Sequence, residues 1–391
     1  GWDVNLVPIG ISYEQIAEER VYRKELQGAD KTPENMGQVV KAGSIFRRRF
    51  GPVYVRVGEP IRLSNVFAKA ESSFDAMSHE ERQELLHLTG EQVMHGIAKN
   101  MVAMPTGLVG LALLAQSGNT IKHHALNARI ERLFNALKMV NAPIAYSLNT
   151  EDWSPAEALK RFENSKLIAQ IDLGTDSVIR IDPDRRITLE YYKNSVLHHT
   201  APMSMMAASI RAMRSAFEAH SRVHLESDDG QEIQRLFAEQ VFLLRYEFTT
   251  DPDHDVATLT TAALAQLQEY GAIDLNEEGI AITERDFVIE LAELTRNLLE
   301  SSLLAMRGIV ALRTHDLTVK TMGKALQDLG QSFMDAEEIR RPEALSLVNL
   351  NNAVRALRDE GVLRFRTDGT GLEIEEFYRE AHDADLTRLL T

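Results

Sequence analysis

Two short apolar runs stand near the start of the chain. Val4–Ile11 (VNLVPIGI) is bounded by polar residues, and Val53–Val57 (VYVRV) alternates Val with Tyr and Arg, so both are expected to be strands. Between them Met36, Val39, Val40, Phe46 and Phe50 fall near helical spacing, which gives strand, helix, strand. One such crossover unit is too little sheet to close a domain. The chain also opens on Gly1-Trp2 without an initiator Met, so residues 1–63 read as the tail of an α/β domain in a fragment or a processed piece.

From Ser64 onward the period becomes mainly helical. Ser78 followed by Glu81 signals a capped helix start, with Leu85, Leu86, Leu88 and Val93 as its apolar positions. Further helices are expected over 120–140, 201–219, 231–246, 257–270, 283–312 and 317–329. Leu167–Leu173 fits a strand or a helix end. Ser177–Ile181 and Ile187–Tyr191 flank Asp182-Pro183-Asp184 and should pair as a hairpin. Residues 269–283 and 359–374 resemble one another, each a hairpin pattern after a helix. The expected architecture is therefore an α/β remnant (1–63) followed by a mainly α-helical region with small β-hairpins (64–391).

Composition narrows the function classes. The 391 residues are 44% apolar and 26% charged, ordinary for a folded chain. With no Cys, disulfides and thiolate metal sites are excluded. A net charge of −15 opposes a nucleic-acid partner, although helix plus hairpin is the winged-helix arrangement; helix 257–270 carries no Lys or Arg, so the wings are expected to serve packing or protein contact. Residues 1–63 run against the overall charge with ten Lys and Arg against eight Asp and Glu, including Arg47-Arg48-Arg49. That triplet suits a solvated helix end, with anionic lipid or coenzyme A phosphate as a second use. No run reaches the roughly 18 apolar residues of a membrane span. Met101–Ala115, broken by Pro105 and two glycines, reads either as a buried helix or as a shallow membrane-contacting element.

Five stretches carry a family resemblance. LVPIGISYEQIAEE, YRKELQGADK and RRRFGPVYVRVGEPIRLS resemble the end of the acyltransferase domain of the glycerol-3-phosphate acyltransferases of the long bacterial, membrane-associated type. LEYYKNSVLHHTAPMSMMAAS (189–209) and LNNAVRALRDEGVL (350–363) resemble the C-terminal region of the same proteins. The resemblance implies acyl transfer from acyl-CoA or acyl carrier protein to glycerol 3-phosphate at a membrane surface, on the cytoplasmic face, with no metal and no organic cofactor. In that family a His in an HxxxxD motif takes the proton of the attacking hydroxyl. It lies upstream of the stretches matched here, so the resemblance assigns no catalytic residue to this chain. What it does assign is a substrate-cleft role to Leu6, Val7, Pro8 and Ile9. The dihydroxyacetone-phosphate acyltransferases are a close alternative, and a non-catalytic scaffold or regulatory module is the alternative from another class.

Several residues compete for attention. His224 and Asp229 also satisfy HxxxxD, but in a polar stretch with Gly230 after it and no apolar strand before it, so they read as a solvated loop. The doublets His123-His124 and His198-His199 place adjacent imidazoles on different helix faces, a poor arrangement for chelation. Tyr192, Lys193 and Asn194 read as a helix start whose Lys snorkels to solvent, or as a brace or donor contact of the acyltransferase domain.

Overall fold

A computed structural model describes residues 3–15, 51–68, 74, 76–174, 176–217, 221–315, 317–366 and 372–391. Four short strands come first: β1 (Asn5–Leu6), β2 (Ile9–Tyr13), β3 (Val53–Val57) and β4 (Ile61–Arg62). The expected single strand over Val4–Ile11 is broken at Val7-Pro8, because Pro has no N–H to give a ladder. Both ladders are antiparallel, with Leu6 opposite Ile61, Ile9 opposite Val57 and Tyr13 opposite Val53. A crossover would have made the pair parallel, and this is a correction: the ribbon folds back on itself. The helix expected over 36–50 lies outside the described residues.

Helices dominate the remainder. They are α1 (Leu63–Ala68), α2 (His79–Asn100), α3 (Pro105–Leu114), α4 (His123–Met139), α5 (Ala156–Asn164), α6 (Arg186–Leu197), α7 (Ala201–Ala212), α8 (Asp228–Leu243), α9 (Val256–Tyr270), α10 (Arg285–Leu294), α11 (Arg296–Ala311), α12 (Val319–Asp335), α13 (Leu347–Asp359) and α14 (Glu376–Leu390). Ser78 caps α2 as the sequence signals, its hydroxyl accepting from the Glu81 N–H while Glu81 accepts from the Ser78 N–H.

Leu167–Leu173 resolves into β6 (Ile168–Asp172), which pairs with β7 (Ser177–Ile181); β5 (Thr120–Lys122) lies on the other side of β7. The expected hairpin between Ser177–Ile181 and Ile187–Tyr191 does not form. The Asp182 carboxylate accepts from the Asp184 N–H and starts a helical turn, and Leu189, Tyr192 and Val196 then bury one face of α6. The two similar hairpins are present, as β8 (Ile273–Asn276) with β9 (Gly279–Ile282) after α9, and β10 (Leu363–Phe365) with β11 (Leu372–Ile374) after α13.

The core is centred on α3, whose residues 106–114 are all buried and which packs along α6. That fixes the reading of Met101–Ala115: it is a core helix, and the membrane-contacting alternative is corrected. Among the described residues no helix is long and apolar enough to cross a membrane. Helix α10 touches α3 and packs mainly on α7, and α13 and α14 pack on α11. Deep in the core Arg186 and Glu343, each 1% exposed, pair at 2.8 Å, and Arg186 also donates to the carbonyls of Gln116 and Gly118.

Candidate functional site

The β2–β3 ribbon has two unlike faces. Pro8, Gly10, Ser12 and Glu14 point inward and are buried. Val7, Ile9, Ile11 and Tyr13 point outward with Val53, Val55 and Val57, each 43–66% exposed, so one face is a continuous apolar sheet surface.

The inward face is clasped to the C-terminal end of α2. A side chain on Gly10 would place Cβ 2.5 Å from the Asn100 carbonyl oxygen, and one on Gly96 would meet the Pro8 ring at 2.6 Å. These are close approaches of backbone to backbone and ring to backbone that only glycine permits. Ser12 Oγ accepts from the Val102 N–H at 2.7 Å, and the Glu14 carbonyl accepts from Thr106 Oγ1 at 2.7 Å. The sequence PIGISYE is thus built to dock on the segment linking α2 to α3.

Beside this clasp lies a cavity of about 810 Å³, with Pro8, Arg56, Gly58, Glu59 and Pro60 on the ribbon side, His95, Lys99 and Asn100 from α2, and Asp251 and Asp253 across from them. The volume suits a small-molecule site. Arg56 and Lys99 have no ion-pair partner among the described residues, which leaves two cations on the wall. Of the four residues assigned to a cleft, Pro8 lines this cavity. Leu6 is half-buried in β1, and Val7 and Ile9 lie on the opposite, apolar face. Asn100, His95 and Lys99 were missed by sequence reasoning, since only the clasp brings α2 to the ribbon.

Glu14 is 4% exposed and its Oε2 has no hydrogen-bond partner. Burial pushes its carboxyl up to about 7, with Arg161 pulling the other way. Its folded-state value therefore lies above the ordinary 4.5, so Glu14 contributes stability that is present below about pH 4.5 and lost as pH rises through about 7. Glu14→Gln is expected to flatten the pH dependence of the urea midpoint between pH 5 and 8, and to stabilise the chain at pH 8 by roughly 2 kcal/mol. A pH slope identical to that of the wild type would place the Glu14 carboxyl in solvent instead.

The other chemical candidates are structural. His224 is exposed in a turn and its Nδ1 accepts from the Glu226 N–H, while Asp229 in the first turn of α8 accepts from Ser215 Oγ; His224 and Asp229 make no bond to each other. His198 and His199 donate Nε2–H to the carbonyls of Ala98 (2.9 Å) and Met101 (3.0 Å), stapling α2 to the α6–α7 junction. Burial lowers both imidazoles, and His198 lowers its neighbour further, leaving His199 at about 3, so each stays neutral. His123 meets Asn127, and His124 faces Asp176 at 3.5 Å. Among the described residues no three His, Asp or Glu side chains gather as a metal site.

Lys193 does not snorkel. It is 2% exposed, and its Nζ bonds to Glu190 (2.9 Å), Asn297 Oδ1 (2.6 Å) and the Leu294 carbonyl (3.0 Å), a brace inside the helical core. Tyr192 packs edge-on against Phe162, and Asn194 lines a cavity of about 320 Å³ with His198 and Glu247.

The family described as the glycerol-3-phosphate acyltransferase C-terminal region matches residues 22–366. The glycerol-3-phosphate acyltransferase of Pseudomonas putida (strain GB-1) is 25% identical over 382 residues, covering 93% of this chain and 44% of that protein. That of Pseudomonas paraeruginosa (strain DSM 24068 / PA7) is 26% identical over 344 residues, covering 85% of this chain and 38% of its own length. The chain therefore spans less than half the length of the relatives it matches.

Proposed function

We propose, from the premise that the chain belongs to the glycerol-3-phosphate acyltransferase C-terminal region family, that it is the C-terminal part of an enzyme transferring an acyl group from acyl-CoA or acyl carrier protein to the first hydroxyl of glycerol 3-phosphate, giving lysophosphatidic acid. The observation that carries the reading is the likeness to glycerol-3-phosphate acyltransferases across 93% of the chain.

In this reading the proton-abstracting His and the Asp that orients it belong to a part of the polypeptide this chain does not contain. The ribbon supplies one wall of the substrate cleft. Arg56 and Lys99 suit the phosphate of glycerol 3-phosphate or of the acyl donor, because both are cations on the wall of the Pro8 cavity without an ion-pair partner among the described residues. The outward apolar face of β2 and β3 supports a further layer of the same polypeptide lying over it, as in any α/β sheet that must cover both faces. Peripheral attachment at the cytoplasmic face of the cell membrane belongs to the same reading.

Pro8→Ser in the natural polypeptide that carries this chain is expected to lower kcat/KM for glycerol 3-phosphate by about tenfold with an unchanged melting temperature, because a wall residue fixes substrate geometry. An activity loss that merely follows the unfolded fraction would reduce Pro8 to a packing residue.

A further inference from the structure

A separate cavity of about 600 Å³ opens where α7, α10 and α11 meet Thr391, on residues distinct from those of the Pro8 cavity. Its lining includes four arginines, Arg211, Arg285, Arg296 and Arg340, around the side-chain carboxylate of Glu293. Glu293 is already saturated: Arg211 meets it at 2.7 Å, Arg296 at 3.2 Å and Arg341, from behind the wall, at 2.5 Å. Burial opposes its ionisation, but those three guanidiniums override it and hold the carboxyl at about 2. Glu300 pairs with Arg296 on the far side and accepts from the N–H groups of Arg340 and Arg341.

The charges do not balance. Five arginines face two glutamates, which leaves a surplus of three positive charges in a sequence whose net charge is −15. Two of the donors are buried with no acceptor, Arg211 Nε and Arg341 Nε. Arg340 is exposed, and its side chain has no partner among the described residues. Arg285 is held at the rim by the Phe217 carbonyl (3.0 Å) and the Phe217 ring. Arg211 and Arg296 give their terminal N–H groups to Glu293 and to the carbonyls of Leu389 and Leu390, so they supply positive charge at the floor, while the rim guanidiniums of Arg340 and Arg285 keep unspent N–H groups, a combination that matches an oxyanion of charge −2 better than any neutral group.

We propose that this cavity binds a phosphate group, with Arg285 and Arg340 donating to it from the rim and the buried charge of Arg211 and Arg296 beneath attracting it. The site is independent of the acyl-transfer reading.

Isothermal titration of the 391-residue chain with pyrophosphate, at constant ionic strength, is expected to show saturable binding with a Kd below about 1 mM. Arg285→Ala/Arg340→Ala, which alters only rim residues, should weaken it at least tenfold with an unchanged melting temperature. Arg364→Ala/Arg366→Ala removes the same charge from exposed positions elsewhere and should bind as the wild type does. Flotation with phosphatidylcholine vesicles containing phosphatidic acid separates the sources. Vesicle binding that is lost in the rim variant and competed by pyrophosphate identifies a lipid headgroup, whereas saturable pyrophosphate binding without flotation identifies a diffusible phosphate compound. Absence of saturable binding, or equal weakening in both double variants, overturns the proposal.

Discussion

Leu111→Asp should leave the chain without a cooperative thermal transition. Leu111 is 0% exposed on α3, between Gly110, which faces Tyr192, and the buried residues Ala112 and Leu113. Replacing it puts a carboxylate at a fully buried position of the core helix, and removes a buried side chain whose loss alone costs about 2–5 kcal/mol. Desolvating the charge, or forcing it to take up a proton, adds several kcal/mol more. The sum is on the order of a whole domain's stability. Leu86→Asp provides the contrast, because Leu86 is 56% exposed on α2 and its substitution should shift the melting temperature by only a few degrees. Circular dichroism melting of the two variants checks this. A Leu111→Asp chain melting like the wild type would mean that the stretch is a surface element after all, and would restore it as a candidate for membrane contact.

The sequence reading and the structure diverge where partners are distant in the chain. Strand Val53–Val57, the Ser78 cap and the helices containing 231–243 and 257–270 follow from local period and capping residues, and they stand where the pattern puts them. Pairing direction did not follow, since an alternating run is equally compatible with either neighbour and the connection between the strands decides it. Ile187–Tyr191 is expected as a strand because it flanks Asp182-Pro183-Asp184 opposite Ser177–Ile181; Asp182-Pro183 instead initiates the turn into α6, and the buried positions of α6 then recur at helical spacing.

The long helix expected over 283–312 divides at Thr295 for a reason no local pattern contains: the Leu294 carbonyl is taken by Lys193, a residue about a hundred positions earlier. The same bond explains why Lys193 is buried rather than snorkelling. In the candidate cleft, Pro8 and the VGEPI turn were legible as a motif, but their partners on α2 were not. Gly96, Lys99 and Asn100 have no signature of their own, and they become site residues only through the contact of Pro8 with Gly96 and of Gly10 with Asn100.

The arginine cluster was invisible for the same reason. Its members come from four separate stretches, and each alone reads as a solvated surface charge.

The division of labour between this chain and the rest of its polypeptide is the central claim, and release of free coenzyme A on addition of glycerol 3-phosphate and an acyl-CoA tests it most directly. The natural polypeptide should turn over with a rate that saturates in glycerol 3-phosphate, and His224→Ala within it should leave that rate unchanged, since His224 is exposed and makes no bond to Asp229. The 391-residue chain alone should release nothing above the blank, a loss of all the acceleration that a His general base, oriented substrates and electrostatic stabilisation supply together, which for enzymes generally is at least about 10⁶-fold. Turnover by the isolated chain that His224→Ala abolishes, or a natural polypeptide inert toward glycerol 3-phosphate, would contradict the account.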